Sequence, residues 1–199
     1  MRFRPSVKPF HRTYAVWLAT LLAGCGSVPL PSLVALSRID AQTTDLATLR
    51  VAVRLPDAIR PRPGGVNMEV VAMLSGEPDQ KTRFMLTETR DKADLSRLAD
   101  AARPGFSIYA YRLAPGDIAR FDLLRAALSR KRQDGRSGSL GIGIATKEFC
   151  RVGPLPPGPL LSTTYLSTAE TRNYVVLTND LDLRSEPTIA AELAALGPC

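Results

Sequence analysis

Among the 199 residues of this chain, the groups best suited to chemistry are three cysteines (Cys25, Cys150, Cys199), one histidine (His11), two alternating carboxylates (Asp180, Asp182) and a basic run of Arg125, Arg130, Lys131, Arg132 and Arg136. A thiol can be acylated, paired with another thiol or used as a nucleophile once ionised. Two carboxylates at i and i+2 of a strand share a face and could hold a cation or act as an acid pair. A hard cation takes about six or more oxygen ligands, however, and alternation with Leu181 and Leu183 is also what a half-exposed strand produces. The basic run suits contact with anionic lipid headgroups or another anionic polymer, and equally a solvated helix end favoured by the helix dipole. Tyr109, Tyr111, Tyr165 and Tyr174 could line a groove for glycan or lipid, or serve as ordinary sheet residues. The run Gly138 to Ala145 (GSLGIGIA) does not fit a phosphate cradle: a dinucleotide fingerprint opening at Gly141 needs a small residue at 146, where Thr146 stands, and no helical pattern follows. It reads as a strand with Leu140, Ile142 and Ile144 on one face and Gly141, Gly143 and Ala145 on the other, leaving room for another element to approach.

The formal net charge of +7 arises from 26 basic and 19 acidic residues, but Arg2, Arg4, Lys8 and Arg12 all fall in the first 24 residues, which hold no acid. Behind them runs the apolar stretch Ala15 to Ala23 (AVWLATLLA). A basic end followed by a short apolar run is the order of a secretory signal. As a helix the run rises only about 14 Å, half of what a membrane span needs. It ends in Leu22-Ala23-Gly24-Cys25, which resembles a lipobox, the processing motif of bacterial lipoproteins. That resemblance covers the first 25 residues. It implies cleavage between Gly24 and Cys25, a diacylglyceryl group on the Cys25 thiol and fatty acyl groups such as palmitate, enough chains together to hold a protein stably to a membrane. Gly26 rather than Asp follows the cysteine, which in the sorting rule of such lipoproteins implies the outer membrane, facing the periplasm. On this reading residues 1–24 are a signal peptide, residues 25–31 (CGSVPLP) a lipidated tether, and residues 32–199 a single periplasmic domain of ordinary size.

Three consequences follow from removing the first 24 residues. The mature chain loses His11 and Trp17, its only histidine and tryptophan, so Ser-His-Asp and Cys-His hydrolases, histidine zinc sites and a histidine general base are excluded. It keeps a nearly balanced charge, with no nucleic-acid partner expected in that compartment. If Cys25 is lipidated, Cys150 and Cys199 remain as the single possible intramolecular pair in an oxidising compartment; the alternatives are a buried free thiol at 150 and an exposed terminal thiol at 199.

The elements that would position these groups can be read from periodicity. Leu33, Leu36 and Ile39 have helical spacing within Ser32 to Thr48. Leu49, Val51, Val53 and Leu55 alternate with Arg50, Ala52 and Arg54, predicting a strand with one wet face. Further strands are predicted at Val66 to Leu74, Lys81 to Thr89 (Phe84 and Leu86 inward), Phe106 to Arg112, Ser139 to Lys147, Leu160 to Leu166 and Asn173 to Arg184. The main amphipathic helix spans Pro115 to Arg132, with Ile118, Phe121, Leu124 and Leu128 on one stripe. A short C-terminal helix opens at Pro187 with Ile189, Leu193 and Leu196 on one face. Strands joined without long crossovers predict an α+β fold, mainly antiparallel sheet or sandwich carrying that helix.

No cofactor, metal site or catalytic residue is expected, and no Ser-x-x-Lys motif occurs in the mature chain. The stretch Leu33 to Leu55 (LVALSRIDAQTTDLATLRVAVRL) is similar in style to small uncharacterised envelope lipoproteins of Gram-negative bacteria, a resemblance that implies no activity. The leading expectation is a non-catalytic, membrane-anchored structural or assembly subunit with an envelope protein as partner. The alternatives are a binding module for lipid or another small apolar ligand, and a carboxylate-dependent glycan hydrolase, which needs two acids about 5 to 10 Å apart in a cleft.

Overall fold

The computed structural model describes residues 29–199, so the signal segment, the cleavage point at Gly24 and Cys25, and the lipidation site Cys25 lie outside the described residues. In chain order the elements are α1 (Leu30–Leu36), β1 (Arg50–Pro56), β2 (Ile59–Pro61), β3 (Val66–Leu74), β4 (Gln80–Thr89), α2 (Lys92–Ser96), β5 (Phe106–Leu113), α3 (Pro115–Gln133), β6 (Gly138–Thr146), β7 (Phe149–Arg151), β8 (Leu161–Ser167), β9 (Val175–Asp182) and α4 (Pro187–Ala194), with a 3-10 turn at Ala99–Ala101 after α2. No helix among the described residues is long and apolar enough to cross a membrane.

Seven strands form one sheet in the order β6-β3-β4-β5-β1-β8-β9, every neighbouring pair antiparallel, and β2 pairs with β7 in a separate ribbon. The expected antiparallel α+β fold is thus built as a single curled sheet, a half-barrel, with no second large sheet among the described residues to make a sandwich. Alternation decides its inner face: Val51, Val53 and Leu55 of β1, Met68 and Val70 of β3, Phe84 and Leu86 of β4, and Tyr111 and Leu113 of β5 all enter one core. Helix α3 must carry the chain from β5 back to β6, beyond β4 and β3, and it does so over this inner face. Phe121 lies on Phe84 with ring centroids 5.4 Å apart, and Arg120 donates to the Arg83 carbonyl at 2.6 Å. Pro115 in the first turn has the φ a helix start needs, and Gly135, with φ 83°, ends the helix.

Two expectations are corrected. The polar-looking face of β1 is not wet: Ala52 is buried with Ala110, Tyr165 and Leu98, while Arg50 donates to Asp94 at 2.8 Å and Arg54 to Thr163 and Asp180 at 3.0 and 3.1 Å. The cover comes from α2 and the 3-10 turn, a layer that the alternation of β1 cannot reveal. Likewise the helical spacing of Leu33, Leu36 and Ile39 stops short, because Asp40 and Asp45 accept from the amides of Gln42 and Ala47 at 2.8 and 2.9 Å and turn the chain. Leu36 and Ile39 pack on the core, but Leu33 faces outward.

Close approach of backbone dictates the glycine at position 65. A β-carbon at Gly65 would overlap the Lys147 carbonyl and crowd those of Arg62 and Glu148, because the β2–β3 and β6–β7 turns are stitched together by Lys147 N–H to Gly65 O at 2.7 Å and Arg62 N–H to Glu148 O at 2.8 Å. Gly141 and Gly143 differ: a β-carbon there meets nothing nearer than 3.7 and 4.0 Å, so no element among the described residues takes up the room their small face leaves.

Cys150 and Cys199 form a disulfide across a sequence separation of 49, with Cα atoms 4.9 Å apart. The C-terminal residues extend the small ribbon, Cys199 N–H donating to Arg151 O at 3.1 Å and Arg151 N–H to Gly197 O at 2.9 Å.

Candidate functional site

The half-barrel ends in two strands, β6 and β9, each paired on one side only. The sheet curls far enough that both line the same cleft. Its larger part, about 530 Å³, is bounded by Ile142 and Ile144 of β6, Leu177 and Thr178 of β9, and Thr188 and Ile189 of α4. Its smaller part, about 230 Å³, continues between the same Ile142, Ile144 and Leu177 and the Leu36, Ile39 and Ala41 segment that follows the first turns of α1. Each volume is of the order of a small-ligand site or somewhat below it, roughly 300 to 1,000 Å³ being usual.

The chemistry of the two parts differs. The smaller is apolar apart from Thr168. The larger carries hydroxyls because β8 places Ser162 and Thr164 on the inner face, in register with Leu181 and Thr178 of β9. A hydroxyl in a dry core would need a partner. None of Ser162, Thr164 and Thr178 is joined by its hydroxyl to another described residue, yet the only sealed side-chain oxygen without a partner among the described residues is that of Tyr174. Ser162, Thr164 and Thr178 all line the larger part of the cleft. One cation, Lys147, and one anion, Glu186, stand among the residues lining the larger part.

Strand β9 pairs with β8 through two register irregularities, between Ser162 and Thr164 and between Thr164 and Tyr165 of its partner. Asp180 there takes φ 46°, and its amide bonds to the Thr163 hydroxyl at 3.1 Å instead of continuing the ladder. Bulges of this kind bend an edge strand and blunt it against further pairing. Helix α4 closes one end of the cleft, held by Glu148 N–H to the Glu192 carboxylate at 3.2 Å and by the disulfide just beyond it. Helix α1 packs on β9 at the other end.

The basic run does not form one patch. Arg125 turns inward, donating to the carbonyls of Ala41 and Thr44 at 2.8 and 2.7 Å and lying 4.7 Å over the Phe121 ring. Lys131 and Arg136 both bind Glu77, whose carboxyl is held below the usual range first by the Lys131 hydrogen bond. Arg132 donates to Gln42 at 2.6 Å, and Arg130 is exposed in the last turn of α3. Asp180 and Asp182 are also separated in use: Asp180 serves Arg54 and Arg103, while Asp182 accepts from the amides of Leu160 and Arg184, each at 3.0 Å. Among the described residues no group of three or more His, Cys, Asp or Glu side chains is placed to hold a metal.

The tyrosines are dispersed as well. Tyr111 lies in the inner core, where burial pushes its hydroxyl pKa up. Tyr109 sits under Arg60 at 5.5 Å. Tyr165 and Tyr174 share an outer hollow beside α2, with Arg97 5.3 Å over the Tyr174 ring; burial, then Asp94, push the Tyr174 hydroxyl up to about 12. Sequence reasoning named Ile142 and Ile144 only as one face of a strand, and Leu177 and Thr164 not at all. Their meeting depends on strand order, which no periodicity encodes.

Comparison with protein-family models, curated proteins and solved structures finds no match to this chain.

Proposed function

We propose that this chain is a lipid-anchored envelope protein whose domain binds a small amphiphile, an apolar chain with a hydroxyl-compatible head, in the cleft between β6 and β9. The observation that carries the reading is the continuity of an apolar hollow with a hydroxyl-lined one through the shared side chains Ile142, Ile144 and Leu177. An apolar chain filling the smaller part would remove these side chains from water at about 25 cal/mol per Å², and its polar end would meet Ser162, Thr164 and Thr178. Two other readings fit less well. Glycan hydrolysis by paired acids needs two carboxylates across the cleft, and Glu186 is the one acid lining it among the described residues. Assembly by adding a strand from a partner needs a flat free edge, whereas β9 is twice bulged and packed by α1, and β6, the regular edge, lines the cleft in which we place the ligand.

Native mass spectrometry of the full chain, purified in mild detergent, tests the proposal. A retained adduct beyond the mass of the processed protein, or saturable uptake of palmitic acid by protein stripped of lipid, is expected. Leu177→Trp, which fills the junction of the two hollows, should abolish uptake while leaving the Cys150–Cys199 disulfide and the circular dichroism intact. Absence of both adduct and uptake in the unaltered protein overturns the reading.

A further inference from the structure

Helix α1 presents two different faces. Leu36 turns inward and lines the apolar hollow, whereas Leu30, Leu33 and Val34 are 78, 46 and 61 % exposed. Their i, i+3, i+4 spacing makes one apolar stripe on the helix surface, and three large aliphatic side chains left together in water need a partner to be worth keeping. Chain length bears on which partner. Leu30 follows Cys25 by five residues, which at full extension reach only about 17 Å; a lipid on Cys25 therefore holds α1 within roughly that distance of the headgroup layer. Charge points the same way. The Arg132–Gln42 hydrogen bond sets the C-terminal turn of α3 against the chain just past α1, so exposed Arg130 and Arg132 lie near the segment that carries exposed Arg38; Asp40, Asp45 and Asp134 belong to the same stretches, and Glu77 is taken up by Lys131 and Arg136. Arg38, Arg130 and Arg132 are thereby placed where they can meet an anionic membrane surface.

We infer that α1 is a membrane-contact surface: Leu30, Leu33 and Val34 enter the interfacial layer of the bilayer that carries the Cys25 anchor, and Arg38, Arg130 and Arg132 face its anionic headgroups. Short amphipathic helices lie in that layer with their apolar side down. This inference rests on the anchored reading of Cys25. It adds an orientation: because Leu36, Ile39 and Ala41 line the apolar hollow from the same segment, the apolar end of the cleft lies next to the bilayer.

The test uses the full chain in a Trp17→Phe background, with a reporter tryptophan introduced as Leu33→Trp or, for comparison, as Leu95→Trp on α2, which packs on the opposite face of the sheet. Each protein is purified after processing in cells and reconstituted with vesicles of phosphatidylethanolamine and phosphatidylglycerol carrying brominated acyl chains, and flotation reports attachment. The expected result is that both proteins float and that bromine quenches the position-33 reporter at least about twofold more than the position-95 reporter, as an interfacial helix requires. If both float and both reporters are quenched equally or not at all, the contact surface is overturned while the anchor stands. If neither floats, the anchor fails and the inference fails with it.

Discussion

Replacing both cysteines of the disulfide, Cys150→Ala with Cys199→Ala, removes the one covalent constraint on the C-terminal quarter of the chain. The bond closes a loop with a sequence separation of 49, and the chain-entropy relation gives about 4 kcal/mol for a loop of that length. A domain of this size is stable by only about 5 to 15 kcal/mol in total, so the variant should lose a large share of its stability. Its denaturant midpoint should fall, and its melting temperature should drop by on the order of 10 °C at about 2 to 4 °C per kcal/mol. What remains holding the tail is noncovalent: the two backbone hydrogen bonds between Arg151 and residues 197 and 199, the Glu148–Glu192 contact and the packing of Ile189, Leu193 and Leu196 on the core. Chemical denaturation of the oxidised protein and of the double variant measures the loss, and hydrogen exchange at the Cys199 amide shows whether the tail still docks. A destabilisation below about 1 kcal/mol would refute the reasoning, because it would mean the unfolded chain already keeps these segments together. Since α4 supplies Thr188 and Ile189 to the cleft, the same variant should also retain amphiphile less well.

Phe121 is fully buried against Phe84, so Phe121→Ala should cost about 3 to 5 kcal/mol in denaturation experiments. Gly65→Ala should be strongly destabilising, whereas Gly143→Ala, whose β-carbon meets nothing nearer than the Glu69 carbonyl at 4.0 Å, should unfold at nearly the unaltered midpoint. Tyr174 buries a hydroxyl without a partner, and Tyr174→Phe should therefore leave stability unchanged or raise it. The folded value of Tyr174, about 12, lies above its ordinary 10.0; its contribution is complete below pH 10 and is lost as pH rises toward 12, so tyrosinate absorbance and unfolding should rise together in alkali. The Glu170 carboxyl is held below its ordinary 4.5 by the Thr168 hydroxyl first and also by that of Thr44. Its contribution is present above pH 4.5 and lost as pH falls through the lower folded value, so Glu170→Gln should be less stable than the unaltered chain at neutral pH, with the gap closing in acid.

Sequence periodicity was sufficient wherever structure is local. The alternation in β1, β3 and β4, the α3 stripe from Ile118 to Leu128 and the Pro187 start of α4 all specify their own elements, because side-chain direction repeats every 2 or about 3.6 residues whatever lies across from it. The pairing of Cys150 with Cys199 was also among the readings open to the sequence. Three things belonged to tertiary structure alone. The α2 layer buries Ala52 and engages Arg50, with Arg54 held by the Ala101 carbonyl of the 3-10 turn and by Thr163 and Asp180; Arg125 leaves the basic run to hold the carbonyls of Ala41 and Thr44; and the curl of the sheet brings Ile142 and Leu177 to one cleft from its two opposite edges. Each depends on strand order and on contacts between residues far apart in the chain, which a one-dimensional pattern does not contain. The sequence determined which faces are apolar, and the packing decided which of those faces stayed open.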